Sequence, residues 1–170
     1  FIVINFVVFF LELAGGDAFV ERWAFVPNRF LANPAGDFVT LFTAMFMHGG
    51  WAHILGNMLY LWIFGDNVED RLGSARYLLL YLLCGIAAGV THIYTNLGST
   101  VPAVGASGAI AGVMGAYLVL FPRSTIISVI PIIFWPFFVE LPAVLYLVLW
   151  FGLQFVGAAS AALLPANVGG

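Results

Sequence analysis

The sequence predicts an all-α, polytopic membrane protein: a bundle of apolar helices set in a lipid bilayer. Three observations carry that prediction. Of the 170 residues, 63% are hydrophobic and 8% are charged, with a mean hydropathy of +1.07. Soluble domains average about 25% charged and 45–50% apolar residues, so one aqueous core does not account for this chain. The charges also gather in short stretches at the ends of long apolar runs. Net charge is −3 with five basic residues, which excludes a nucleic-acid surface.

The elements follow in order. Phe1 to Ala14 is apolar but shorter than the roughly 20 helical residues a bilayer requires. It also lacks the basic start of a signal peptide. It is expected to be the clipped end of a helix, in a single membrane domain (1–170) truncated at both ends. Gly15 to about Asp37 mixes Glu21, Arg22, Trp23 and Arg29 with Pro27, Pro34 and Gly36, as a loop at a membrane interface does. Phe38 to Gly65 reads as the second span, interrupted only by His48, His53 and Asn57, and Asp66 to Arg76 is the densest charged stretch. Tyr77 to about Thr95 is the third span, Asn96 to Ala106 a loop, and Ser107 to Phe121 the fourth span, stopped by Pro122-Arg123.

Thr125 to Val139 is apolar but contains Pro131 and Pro136, so it is expected to be an irregular or re-entrant connection. Glu140-Leu141-Pro142 opens the last span, to about Leu164, with Pro142 in its first turn. Pro165 to Gly170 closes as a loop. Five spans result. Arg71, Arg76 and Arg123 lie at the ends of the second and fourth spans and place those ends in the cytoplasm; Arg22 and Arg29 count against them. The loop before Ser107 is then extracytoplasmic. The single cysteine, Cys84, reads as a small packing residue.

Ser107 is the candidate nucleophile. Fifteen residues separate it, inclusively, from Phe121, about 22 Å of helix, against a hydrocarbon layer about 30 Å thick. The helix head therefore lies below the outer surface, and the Gly/Pro loop before it must dip inward. Backbone of that kind survives at depth only inside protein or beside a wet cavity. The first N–H groups of a helix have no internal partners and carry the positive end of its dipole, which suits a developing oxyanion. Gly108 and Gly112 form one small-residue row and Ala111 and Gly115 another, so neighbouring helices can approach closely. Taken alone, a serine at this position is ordinarily an N-cap or packing residue.

His53 and Asn57 add a second feature. Spaced i, i+4, they lie about 40° apart on one helical face, and both side chains donate hydrogen bonds. Two converging donors are what an anionic tetrahedral intermediate requires. His48 falls about 180° from Asn57 on an ideal helix and reads as structural. His92, near the outer end of its span, reads as an interfacial histidine.

These residues resemble the rhomboid family of intramembrane serine proteases. The likeness rests on His48-Gly-Gly-Trp-Ala-His53-Ile-Leu-Gly-Asn57, on Glu69-Asp-Arg71-Leu-Gly73 just after it, and on Gly105-Ala-Ser107-Gly108. It implies a rhomboid-like bundle with five of six spans present. Ser107 would be the nucleophile, and His53 and Asn57 would join the Ser107 N–H in the oxyanion hole. The partners implied are transmembrane protein substrates cleaved near the extracytoplasmic face, without metal or other cofactor, in a bacterial-type plasma membrane. The family's general base is a histidine on the sixth helix; nothing here matches it, and it is expected beyond Gly170. The alternatives are a rhomboid-like pseudoprotease that binds membrane clients, and a small transporter or structural membrane protein. A transporter calls for ionisable residues facing each other across spans or a matched pair of broken helices.

Overall fold

A computed structural model of the chain describes residues 1–132 and 135–163. Those residues are mostly helical, with eight α-helices, one 3-10 turn and a two-stranded hairpin among them. The all-α expectation is corrected by that hairpin. The chain divides into two compact units, Phe1–Tyr117 and Leu118–Gly170.

The first unit holds the candidate residues. Helix α1 (Ile2–Trp23) does not stop at Ala14 as expected. It breaks at Gly16, whose φ of 56° and ψ of −148° leave the helical region, and then resumes. Glycine carries that conformation without the Cβ clash other residues meet. The expected interface loop is also partly helical, containing α2 (Pro27–Ala32) and α3 (Pro34–Asp37). Both prolines occupy first-turn positions, where the missing N–H breaks no helical bond, so they start helices and do not break the chain.

Phe38 to Gly65 is not one straight span. It comprises α4 (Thr40–Thr43), a 3-10 turn (Ala44–Phe46), a non-helical link through Gly50, and α5 (Trp51–Leu72). The segments on either side of the link are bent by 79°. Helix α5 continues seven residues past Gly65 and ends where Gly73 adopts a φ of 80°. Its buried stripe, Ile54, Met58, Leu61, Gly65 and Val68, repeats every three or four residues, as one face of a packed helix must. Helix α6 (Ser74–Thr95) and helix α7 (Ser107–Leu120) lie close to their expected bounds.

Small residues bring α6 and α7 together. A methyl added at Gly108 would overlap Ala88, and one at Gly112 would overlap Cys84, whereas Gly115 faces open space. The Gly108/Gly112 row is thus the packed one, with Cys84 filling the groove.

In the second unit, β1 (Thr125–Ile132) pairs antiparallel with β2 (Trp135–Pro142) in a register from Thr125 opposite Pro142 to Ile132 opposite Trp135. This ordered ribbon replaces the expected irregular connection. β-branched and aromatic residues dominate it, and a two-stranded ribbon gives each strand an outer edge where proline interrupts no ladder. Such open edges exclude it from bare hydrocarbon. Helix α8 (Ala143–Leu163) follows directly, so Pro142 closes a strand and does not enter the helix's first turn. The expected loop at Pro165–Gly170 lies outside the described residues.

Among the described residues, α1 and α6 are long and apolar enough to cross a membrane, and the bent pair supplies a third candidate. Helix α7, at 14 residues, is short.

Candidate active site

Ser107 is the first residue of α7. The Ala106 carbonyl accepts the Ile110 N–H at 2.9 Å and so begins the helical ladder. The N–H groups of Ser107, Gly108 and Ala109 consequently have no acceptor inside the helix. The loop delivering Ser107 is held from outside: Gly105 donates to the Ala44 carbonyl at 2.8 Å, tying it to the 3-10 turn. Phe25 and Ala103 exchange backbone bonds at 3.2 and 2.7 Å, and Asn28 donates to the Ser99 carbonyl at 3.0 Å. The interfacial segment thus clamps the loop that carries the serine. That segment is itself clasped by Arg29, which bonds to Asp37 and to the Glu21 and Ala24 carbonyls.

Gly105 has a φ of 134° and explains how imidazole and hydroxyl meet. A methyl built on it would lie 2.9 Å from both Cε1 and Nε2 of His53 and 3.9 Å from Ser107 Oγ. Both groups therefore border the same small space, which a side chain at 105 would fill. His53 stands in the first turn of α5, and both it and Ser107 are exposed.

Asn57 lies one turn further along α5, with 8% exposure. Its Nδ2 is buried and has no hydrogen-bond partner among the described residues. An orphaned amide N–H costs about 1–3 kcal/mol, so this one calls for an explanation. The structure relates His53 directly to Ser107; Asn57 it places on the same helix, one turn below His53, with a free donor.

His48 differs from its sequence reading. It does not share a helix with Asn57 but sits in the non-helical link, 1% exposed, its ring 5.1 Å from that of His53 and edge-on to it. The 180° helical-wheel separation fails because the helix begins only at Trp51. His92 also gains a neighbourhood: with Asn96 and Ser99 it lines a cavity of about 560 Å³ that Ser107 and Gly108 border from the other side. Asn96 Nδ2 stands 3.2 Å from His92 Nδ1 and 3.1 Å from its carbonyl. Its volume is in the range of small-molecule and side-chain pockets. No helical periodicity announces it, because a loop supplies much of its wall. Among the described residues no set of three His, Cys, Asp or Glu side chains is placed to hold a metal.

A Rhomboid domain family model matches residues 35–170. The chain belongs to the rhomboid family. Rhomboid protease GluP of Bacillus subtilis (strain 168) is 38% identical over 120 residues, covering 69% of this chain and 23% of that protein. Rhomboid protein 1, mitochondrial, of Saccharomyces cerevisiae is 32% identical over 113 residues, 62% of this chain and 32% of its own length. Presenilin-associated rhomboid-like protein A, mitochondrial, of Danio rerio is 32% identical over 114 residues, 64% and 30% respectively. This rhomboid chain thus spans a quarter to a third of these relatives. Its membership and its apolar helices make it an integral membrane protein.

Proposed function

We propose that this rhomboid chain is the core of an intramembrane serine endopeptidase that cuts transmembrane segments of other proteins. The observation that carries the reading is the shared space at Gly105, where the His53 imidazole and the Ser107 hydroxyl face one point. Ser107 Oγ attacks the scissile carbonyl, forming the Oγ–C bond and placing charge on the carbonyl oxygen. His53, the Asn57 amide and the Ser107 N–H donate to that oxygen, in a site where each donor contributes about 3–4 kcal/mol. Collapse breaks the peptide bond, the amine departs with the proton the general base returns to it, and water then hydrolyses the acyl-enzyme that remains.

The proton from Ser107 passes to a histidine outside these 170 residues, because the resemblance gives His53 to the oxyanion. The membrane domain is a rhomboid-like arrangement of six spans, of which α1, α6 and the bent pair are the candidates among the described residues. Arg71, Arg76 and Arg123 face the cytoplasm of a bacterial-type plasma membrane, and the site opens to the opposite side. A second reading is a rhomboid-like protein that binds clients without cutting them.

The test is made on the full-length protein. Ser107→Ala should abolish both cleavage of membrane clients and labelling by a fluorophosphonate while the helical content is retained. Cleavage at the wild-type rate in that variant would remove Ser107 from the mechanism. Client capture without any cleavage by the wild type would favour the second reading.

A further inference from the structure

Helix α1 presents one face inward, formed by Asn5, Phe9 and Glu12, while most of its other side chains are exposed. Glu12 is the residue that does not belong. It is an acidic side chain within an apolar membrane helix, 8% exposed, where an ionisable group is costly to bury. Its Oε2 accepts the backbone N–H of His48 at 3.0 Å. Three residues earlier, Phe9 meets the ring of Trp51 edge-on at 5.0 Å. These two contacts bracket the non-helical link at the 79° bend, Phe9 at the head of α5 and Glu12 on the link itself.

The link is where the backbone has least support of its own. Non-helical residues leave N–H groups that the helix ladder does not take up, and a buried N–H must find an acceptor elsewhere. Glu12 supplies one. The His48 ring is 1% exposed and has no partner for either nitrogen among the described residues. The backbone bond to Glu12 and the edge-on contact with His53 help hold it in place. The ring in turn lies edge-on against His53, whose other side borders Gly105 and Ser107. We infer that Glu12 is a positioning residue: its carboxylate oxygen fixes the His48 backbone, and through the His48 ring it sets where the His53 imidazole stands relative to Ser107. The inference rests on the proposed function for the meaning of that position. Accepting a hydrogen bond, not carrying charge, is the property used.

The test uses the full-length protein in phosphatidylethanolamine/phosphatidylglycerol vesicles and a fluorophosphonate–rhodamine probe, whose phosphoryl oxygen occupies the place of the oxyanion. Binding and reaction are read separately as KI and kinact. Glu12→Leu should lower kinact about 10- to 100-fold with KI within twofold, whereas Glu12→Gln, whose carbonyl still accepts from His48, should stay within threefold of wild type. Wild-type kinact in Glu12→Leu, or a loss in Glu12→Gln equal to that in Glu12→Leu, overturns the assignment. Should Glu12→Leu not fold, Glu12→Asp decides: it keeps the charge and withdraws the acceptor by one methylene, so a threefold or larger fall in kinact supports positioning and an unchanged kinact refutes it. Ser107→Ala separates the two levels. Labelling that survives it defeats the proposed function, while labelling lost in Ser107→Ala but intact in Glu12→Leu defeats only the role of Glu12.

Discussion

Gly105→Ala isolates the contact on which the site depends. The added methyl would stand 2.9 Å from His53 Cε1 and Nε2, and 3.9 Å from Ser107 Oγ. Apolar atoms rest at about 3.5–4.0 Å, so the hydroxyl is undisturbed while the imidazole must withdraw by about 0.6–1 Å. A misplacement of about 1 Å at a catalytic group costs on the order of 10²-fold in rate. Alanine must also hold the φ of 134°, a strain of about 1–3 kcal/mol. The expected outcome is a fall of about 100-fold in fluorophosphonate labelling of the full-length protein, with a stability loss of about 1–3 kcal/mol in a denaturant titration. Gly49→Ala is the control, since its methyl would meet His53 Nδ1 at 4.0 Å, an ordinary contact. It should label within twofold of wild type. Labelling of Gly105→Ala within threefold of wild type would show that the imidazole's position at the shared space does not govern the chemistry.

Asn57→Ala should slow cleavage by about 10²–10³-fold if its orphaned Nδ2 donates to the oxyanion, measured as kcat on a membrane client; an unchanged kcat confines Asn57 to packing. Gly112→Ala should destabilise the α6–α7 contact by about 1–3 kcal/mol through overpacking. Cys84→Ala should not rescue it, because the Cys84 Cβ is itself in the way; Cys84→Gly should, and thermal unfolding of the double variants distinguishes the two. Arg29→Lys cannot reproduce a fork that reaches Asp37 and two carbonyls at once. Hydrogen exchange across residues 24–37 should accelerate in that variant while exchange in α6 is unchanged. Equal protection in both proteins would mean that the clasp does not order the segment.

The sequence carried the membrane class, the family and the order of the apolar runs. Composition settled the solvent, because 63% hydrophobic and 8% charged residues leave too few polar side chains for an aqueous surface. Helix α7 was legible to within a residue, since a Gly-rich loop and Pro122 bound it on both sides. The pairing of His53 with Asn57 was legible because both sit on one uninterrupted helix, where spacing alone sets direction. Glu12 carried a visible signal, a lone acid within the apolar run from Phe1 to Ala14, but its partner is 36 residues away.

Tertiary structure decided everything that depends on residues distant in sequence. Whether Gly16 ends a helix or bends it, whether Pro27 and Pro34 break the chain or start helices, and where His48 points are not set by periodicity, because each turns on a single backbone torsion or first-turn position. The interfacial clamp on the loop before Ser107, the cavity walled by His92 and Asn96, and the meeting of imidazole and hydroxyl at Gly105 all join separate elements. Local sequence specifies how a segment coils and which face is apolar; only close packing against other segments determines which faces touch, and with them which side chains share a site.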